Sequence, residues 1–155
     1  MRINIWSGFN FAIENFKNYD FFNTKDFLKC TFVDVDKIAD NGEVEEIIAI
    51  NTLNYIEHVN IEMCIKNWFK KLKYDGTITL SFFDFLEVCR FLTVGQLTLS
   101  EAKKMLYGEQ DFYDNFFKSG ISLEEIKNIF ISLNAKIEIC KRDGVFSYIR
   151  ARRVM

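Results

Sequence analysis

The sequence predicts an α/β protein: one largely parallel sheet with helices on its faces, ending in an antiparallel hairpin. Three observations carry this. Short apolar runs alternate with amphipathic helical stretches, the order produced by strand–helix–strand units. One run, Glu46 to Asn51 (EIIAIN), has the unbroken apolar centre of a strand covered on both faces. Near the end, AKIEIC and VFSYIRA flank Lys141-Arg142-Asp143-Gly144, and Asp-Gly favours a tight turn between antiparallel strands.

Taken in order, Ile3 to Trp6 reads as the first strand, broken at Ser7-Gly8. Phe16 to Tyr19 is a short second strand and Thr31 to Val35 a third. Glu46 to Asn51 is the fourth, Thr77 to Phe83 (TITLSFF) the fifth, and the two hairpin segments bring the sheet to seven. The clearest helix runs roughly from Val59 to Leu72, where Ile61, Ile65, Trp68, Phe69 and Leu72 fall on one stripe and Lys66, Lys70, Lys71 and Lys73 take the wet side. Asp75-Gly76 is expected to stop it and turn the chain into the fifth strand. Another helix starts near Phe85. Thr98 with Glu101, and Ser122 with Glu125, have the spacing of capping boxes opening two more helices, the first closed by Gly108 and the second burying Leu123, Ile126, Phe130 and Leu133.

The chain's 155 residues fit one domain, 1–155, large enough to bury a core. With 49% hydrophobic residues and a net charge of −2, the composition is that of a folded protein and gives bulk nucleic-acid binding no support. The aromatics and lysines of WFKKLKY (68–74) fit a helix with rings inward and lysines outward. Cys30, Cys64, Cys89 and Cys140 form no C-x-x-C pair, so reduced thiols are expected rather than zinc or a disulfide framework. Asp34, Asp36 and Asp40 lack the glycine and distal glutamate of a calcium loop, and no metal site is expected. No apolar run is long enough to cross a bilayer and no secretory segment opens the chain, so a cytoplasmic location is expected.

The pieces also resemble, in order and spacing, the class I S-adenosylmethionine-dependent methyltransferases, in particular a short bacterial group of predicted methyltransferases whose first helical connection is abbreviated. The matching stretches are RINIWSG, KNYD, VDV, VEEIIAINTLNYI, the helix to Leu72, KLKYDG, FFD, MLYG and ISLEEIKNIFISLN, which together run through nearly the whole chain. The resemblance implies a Rossmann-like fold, S-adenosylmethionine as cofactor, and methyl transfer to a small-molecule or glycan-type acceptor. It implies that Gly8 lets the backbone approach the methionine part of the cofactor, that Asp20 ends the second strand and accepts both ribose hydroxyls, and that Asp34 with Val35 reads the adenine edge, Asp36 being the fallback. Asn51 to Leu53 would floor the methyl group at the carboxyl end of the fourth strand. Segment 85–120 would cap the acceptor side.

The sequence departs from the group at several of these places. Trp6 stands where the first glycine of the loop belongs, Leu53-Asn54-Tyr55 replaces a Leu-Glu-His triplet, and Tyr74-Asp75-Gly76 replaces Pro-Gly-Gly. The only histidine is His58, a candidate general base because histidine titrates near neutrality, with a surface role before a helix as the alternative. The competing reading is an inactive interaction module whose cofactor cleft is filled by Trp6. A partner chain or second copy would then meet the aromatic segment 112–117, where Phe112, Tyr113, Phe116 and Phe117 cluster.

Overall fold

A computed structural model describes residues 1–6, 12–20, 28–29, 35–111 and 115–155. Its sheet runs in the order β3-β2-β1-β4-β5-β7-β6. The strands are β1 (Arg2–Trp6), β2 (Lys17–Asp20), β3 (Leu28–Lys29), β4 (Val44–Ile50), β5 (Leu72–Phe83), β6 (Lys136–Asp143) and β7 (Phe146–Arg152). β1 pairs in parallel with β2 and β4, and β4 with β5, whereas β7 is antiparallel to both β5 and β6. β3 is a pairing of only two residues, so the sheet consists of six full strands and a short edge rather than seven full strands.

The expected third strand, Thr31 to Val35, is corrected at its last residue. Residues 31–34 lie outside the described residues, and Val35 opens a short helix, α1 (Val35–Ile38), instead of ending a strand. Packing explains this. Val35 is 1% exposed in the core, and Asp36 sits 2.8 Å from the nearly buried ammonium of Lys71, so tertiary contacts outweigh the strand preference of a β-branched residue at position 35.

α2 (Ile61–Lys71) follows a single 3-10 turn at His58–Asn60 and stops at Lys71, before the Asp75-Gly76 pair expected to end it. That pair instead makes an irregularity within β5. Asp75 has φ 62°, and a Cβ on Gly76 would meet the carbonyl oxygens of Lys73 and Val44, both at 2.9 Å. Only glycine lets the strands close there. The other helices are α3 (Phe85–Thr93), α4 (Leu99–Tyr107) and α5 (Leu123–Ser132), and both expected capping boxes form, at Thr98/Glu101 and Ser122/Glu125. Gly108 closes α4, and the hairpin turns through Gly144-Val145.

α2 and α5 pack side by side on one face of the sheet, where Phe69 and Phe130 meet with ring centroids 6.0 Å apart. Beneath them, register aligns Ile3, Ile47, Ile78 and Ala151, and then Ile5, Ala49, Leu80 and Ile149. Helices are expected on both faces, and α2 and α5 supply those of one. The opposite face carries Asn4, Thr77, Thr79 and a ladder of charges in which Lys73 pairs with Glu45, Arg2 with Glu45 and Glu46, and Arg150 with Glu46 and Glu138. Arg152 completes it, 2.5 Å from Glu138.

Candidate active site

In an open parallel sheet, ligands bind beyond the carboxyl ends of the strands, at the point where the strand order reverses. Here that point is the end of β1, because β2 lies on one side of it and β4 on the other. Register sets Asp20 beside Trp6 on one flank and Ile50 beside Trp6 on the other. Asp20 is fully buried and Trp6 is 1% exposed. Trp6 alternates with Ile5, so its indole stands on the sheet face opposite the α2–α5 core.

Past β4 the chain turns sharply. Asn51 takes a left-handed conformation, φ 54°, which asparagine tolerates better than most residues, and its N–H donates to the Ser81 carbonyl at 2.9 Å. The Thr52 hydroxyl bonds the Ile50 carbonyl at 3.1 Å and the Ile5 carbonyl at 3.3 Å, tying the ends of β1 and β4 together. Leu53 begins a 3-10 turn, Leu53–Tyr55, and its side chain is fully buried in the core.

Asp20 and Asn51 therefore end strands on either side of β1. The side chains of Val35 and Leu53 both enter the core, so only their backbone groups remain to face a ligand. Gly8 and Asp34 lie outside the described residues. His58 is exposed, in the turn that leads into α2. Beside it, Glu57 is held below the usual carboxylate value, first by its own backbone N–H and then by Lys118, whose ammonium lies 3.1 Å away. Among the described residues no three His, Cys, Asp or Glu side chains converge as a metal site, and no helix is long and apolar enough to cross a membrane.

Sequence reasoning noted Asn54 and Tyr55 only as departures, yet they organise this end of the sheet. The Asn54 amide donates to the Phe83 carbonyl at 3.1 Å and accepts the Phe83 N–H at 3.0 Å, so one side chain fixes both backbone groups at the end of β5. Its own carbonyl accepts the N–H of Lys118 at 2.8 Å, and the Ser119 hydroxyl donates to the Leu53 carbonyl at 3.2 Å. The Tyr55 hydroxyl donates to Asn115 Oδ1 at 3.0 Å. The available signal was an asparagine in the otherwise apolar run LNYI, since a buried amide needs partners.

Immediately after β5, Asp84 is fully buried. One carboxylate oxygen accepts the N–H groups of Leu86 and Glu87 and so caps α3; the other accepts the Leu123 N–H at 3.0 Å and the Ser147 hydroxyl at 2.6 Å. Of the segment 112–117, residues 112–114 lie outside the described residues, Phe116 is 41% exposed, and Phe117 packs inward against Tyr55 and Phe83.

No protein family model matches the sequence, and no curated protein matches it. Solved structures do match. A Thermotoga maritima S-adenosylmethionine-dependent methyltransferase, described as a possible histamine N-methyltransferase, aligns with TM-score 0.60 and 15% identity over 97% of this chain and 82% of its own. The 1,6-didemethyltoxoflavin-N1-methyltransferase of Burkholderia thailandensis, solved with 1,6-didemethyltoxoflavin and S-adenosylhomocysteine bound, aligns with TM-score 0.56 and 8% identity over 98% of this chain and 71% of its own. An O-methyltransferase family protein from the same organism gives TM-score 0.56 and 11% identity over 83% of this chain, which spans only 36% of that longer one.

Proposed function

From a chain that has the class I methyltransferase fold, we propose S-adenosylmethionine binding at the carboxyl ends of β1, β2 and β4, with methyl transfer to a small-molecule or glycan-type acceptor. The observation that carries the reading is the placement of Asp20, a buried carboxylate at the end of β2 beside the strand-order reversal. A carboxylate there suits a ribose because it accepts two hydroxyl hydrogen bonds at once. Val35 offers a backbone N–H for the adenine edge; Asp34 for that edge and Gly8 for the methionine part are carried over from the family resemblance and lie outside the described residues. Asn51 and the backbone of Leu53 floor the transfer point. When bound, the cofactor supplies an electrophilic methyl group, so the protein's work is chiefly to align an acceptor and to accept its proton. His58 is the candidate for the proton, and α3 and α4 belong to the acceptor-side cap, 85–120.

Calorimetric titration with S-adenosylhomocysteine tests this. Micromolar binding, roughly −8 kcal/mol, is expected of the wild-type protein, with loss of the signal in Asp20→Ala. Unchanged affinity in that variant would move the ribose site elsewhere.

The burial of Trp6 favours a second reading, an inactive module. In that reading the covered indole, at a position where the family resemblance puts glycine, takes the space of the methionine moiety. Silence from the wild-type protein and micromolar binding by Trp6→Gly would establish that reading. Binding by the wild-type protein would remove it.

A further inference from the structure

Beyond Asn51 the site acquires a wall of rings. Phe83 and Phe146 are register partners at the end of β5 and the start of β7, stacked with centroids 4.3 Å apart and planes 30° from parallel. Phe117 leans on Phe83 at 5.6 Å and meets the edge of Tyr55 at 4.9 Å and 77°. Phe83, Phe117 and Phe146 are all half-buried rather than sealed in the core. Phe83 stands two residues past Ser81, whose carbonyl holds the Asn51 N–H, and strand alternation places it on the same sheet face as Ser81, Ile50 and Trp6.

Two features make this a built wall rather than loose surface. Its backbone is fixed from the turn after β4, through the two bonds from Asn54 to Phe83 and the bonds that Leu53 and Asn54 receive from Ser119 and Lys118. Its polar members already have partners: the Tyr55 hydroxyl is bonded to the Asn115 amide, which in turn donates to the Asp111 carboxylate, while Lys118 is paired with Glu57 and lies over the Phe116 ring. Ring faces and edges favour another ring in offset or edge-on contact. Polar groups already bonded to one another do little for an acceptor dense in hydroxyls, which would lose water without regaining partners.

We infer that the acceptor is a flat, uncharged aromatic small molecule held against Phe83 and Phe117, with Asn54 as the positioning residue behind the wall. This rests on the methyltransferase reading for the word acceptor; the ring site itself rests on the cluster.

Saturation-transfer NMR with 2-naphthol, its saturated counterpart decahydro-2-naphthol and methyl β-glucoside, each with and without S-adenosylhomocysteine, tests it. The wild-type protein is expected to bind 2-naphthol in preference to the saturated ring, with no signal from the glucoside. Phe83→Leu and Phe117→Leu should each weaken naphthol binding roughly three- to tenfold. Equal binding of the saturated ring, stronger binding of the glucoside, or unaltered binding by folded variants would overturn the proposal. The ligand comparison uses wild-type protein, so it decides even where a variant unfolds. Absence of calorimetric heat with S-adenosylhomocysteine beside intact, phenylalanine-dependent naphthol binding would sink the cofactor reading and leave the ring site standing. Cofactor binding without naphthol binding would do the reverse.

Discussion

The amide of Asn54 bridges two pieces of chain that are far apart in sequence, closing both hydrogen bonds to Phe83 from a side chain only 2% exposed. Removing a buried partner costs more than the net value of a bond, because the groups left behind stay dry and unmet. Asn54→Ala is therefore expected to destabilise the fold by about 2–4 kcal/mol, read as a shift in urea midpoint. An aspartate in its place could accept from the Phe83 N–H but not donate to the carbonyl, so Asn54→Asp should recover only part of the loss. Trp6 sets the contrary case at the same scale. It ends β1 at 1% exposure, so the chain packs around a large ring at the strand's carboxyl end.

At the scale of elements, the charged ladder takes the sheet face opposite α2 and α5. The Arg152 guanidinium beside Glu138 holds that carboxyl below its ordinary 4.5, and the Lys73 ammonium does the same for Glu45. A carboxylate whose value is lowered by folding stabilises the native state at pH above its unfolded value, and that contribution disappears as pH falls through the lowered one. Stability should thus be level near neutrality and decline as acid is added below about pH 4.5. Replacing Glu138 by glutamine should flatten part of that decline. Both pairs are solvent-facing, so salt should weaken the ladder as well. Urea midpoints measured between pH 7 and pH 3, at low and high salt, check each statement.

Across the whole molecule, Asp84 joins the end of β5 to the first turns of α3 and α5 and to β7 through four accepted hydrogen bonds. Asp84→Asn keeps the shape but turns an amide N–H₂ toward donors already committed to that carboxylate. A loss of about 3 kcal/mol or more is expected, with the midpoint moved and the denaturant slope unchanged. A substantially smaller loss would mean that the four elements are held by packing alone.

Alternation of apolar runs, the capping boxes at Thr98 and Ser122, and the Asp143-Gly144 pair are local chemistry, and they were enough to read every strand but the third, most helices and the closing hairpin. The largely parallel sheet was legible from the alternation of strand and helix patterns; the pattern of β2 was read only to Tyr19, and Asp20 was singled out through the family resemblance. Tertiary contact decided what local pattern could not carry. Val35 became helical because Asp36 reaches Lys71 and its own side chain enters the core, and Asp75-Gly76 became a strand irregularity because two carbonyls crowd the glycine. Asn54 meets Phe83 through bonds that span 29 residues, and Phe117 meets Phe83 and Tyr55 by ring contact, beside a Ser119–Leu53 bond that spans 66. A sequence states which groups need partners; only the folded chain determines which distant groups supply them, since that choice belongs to packing.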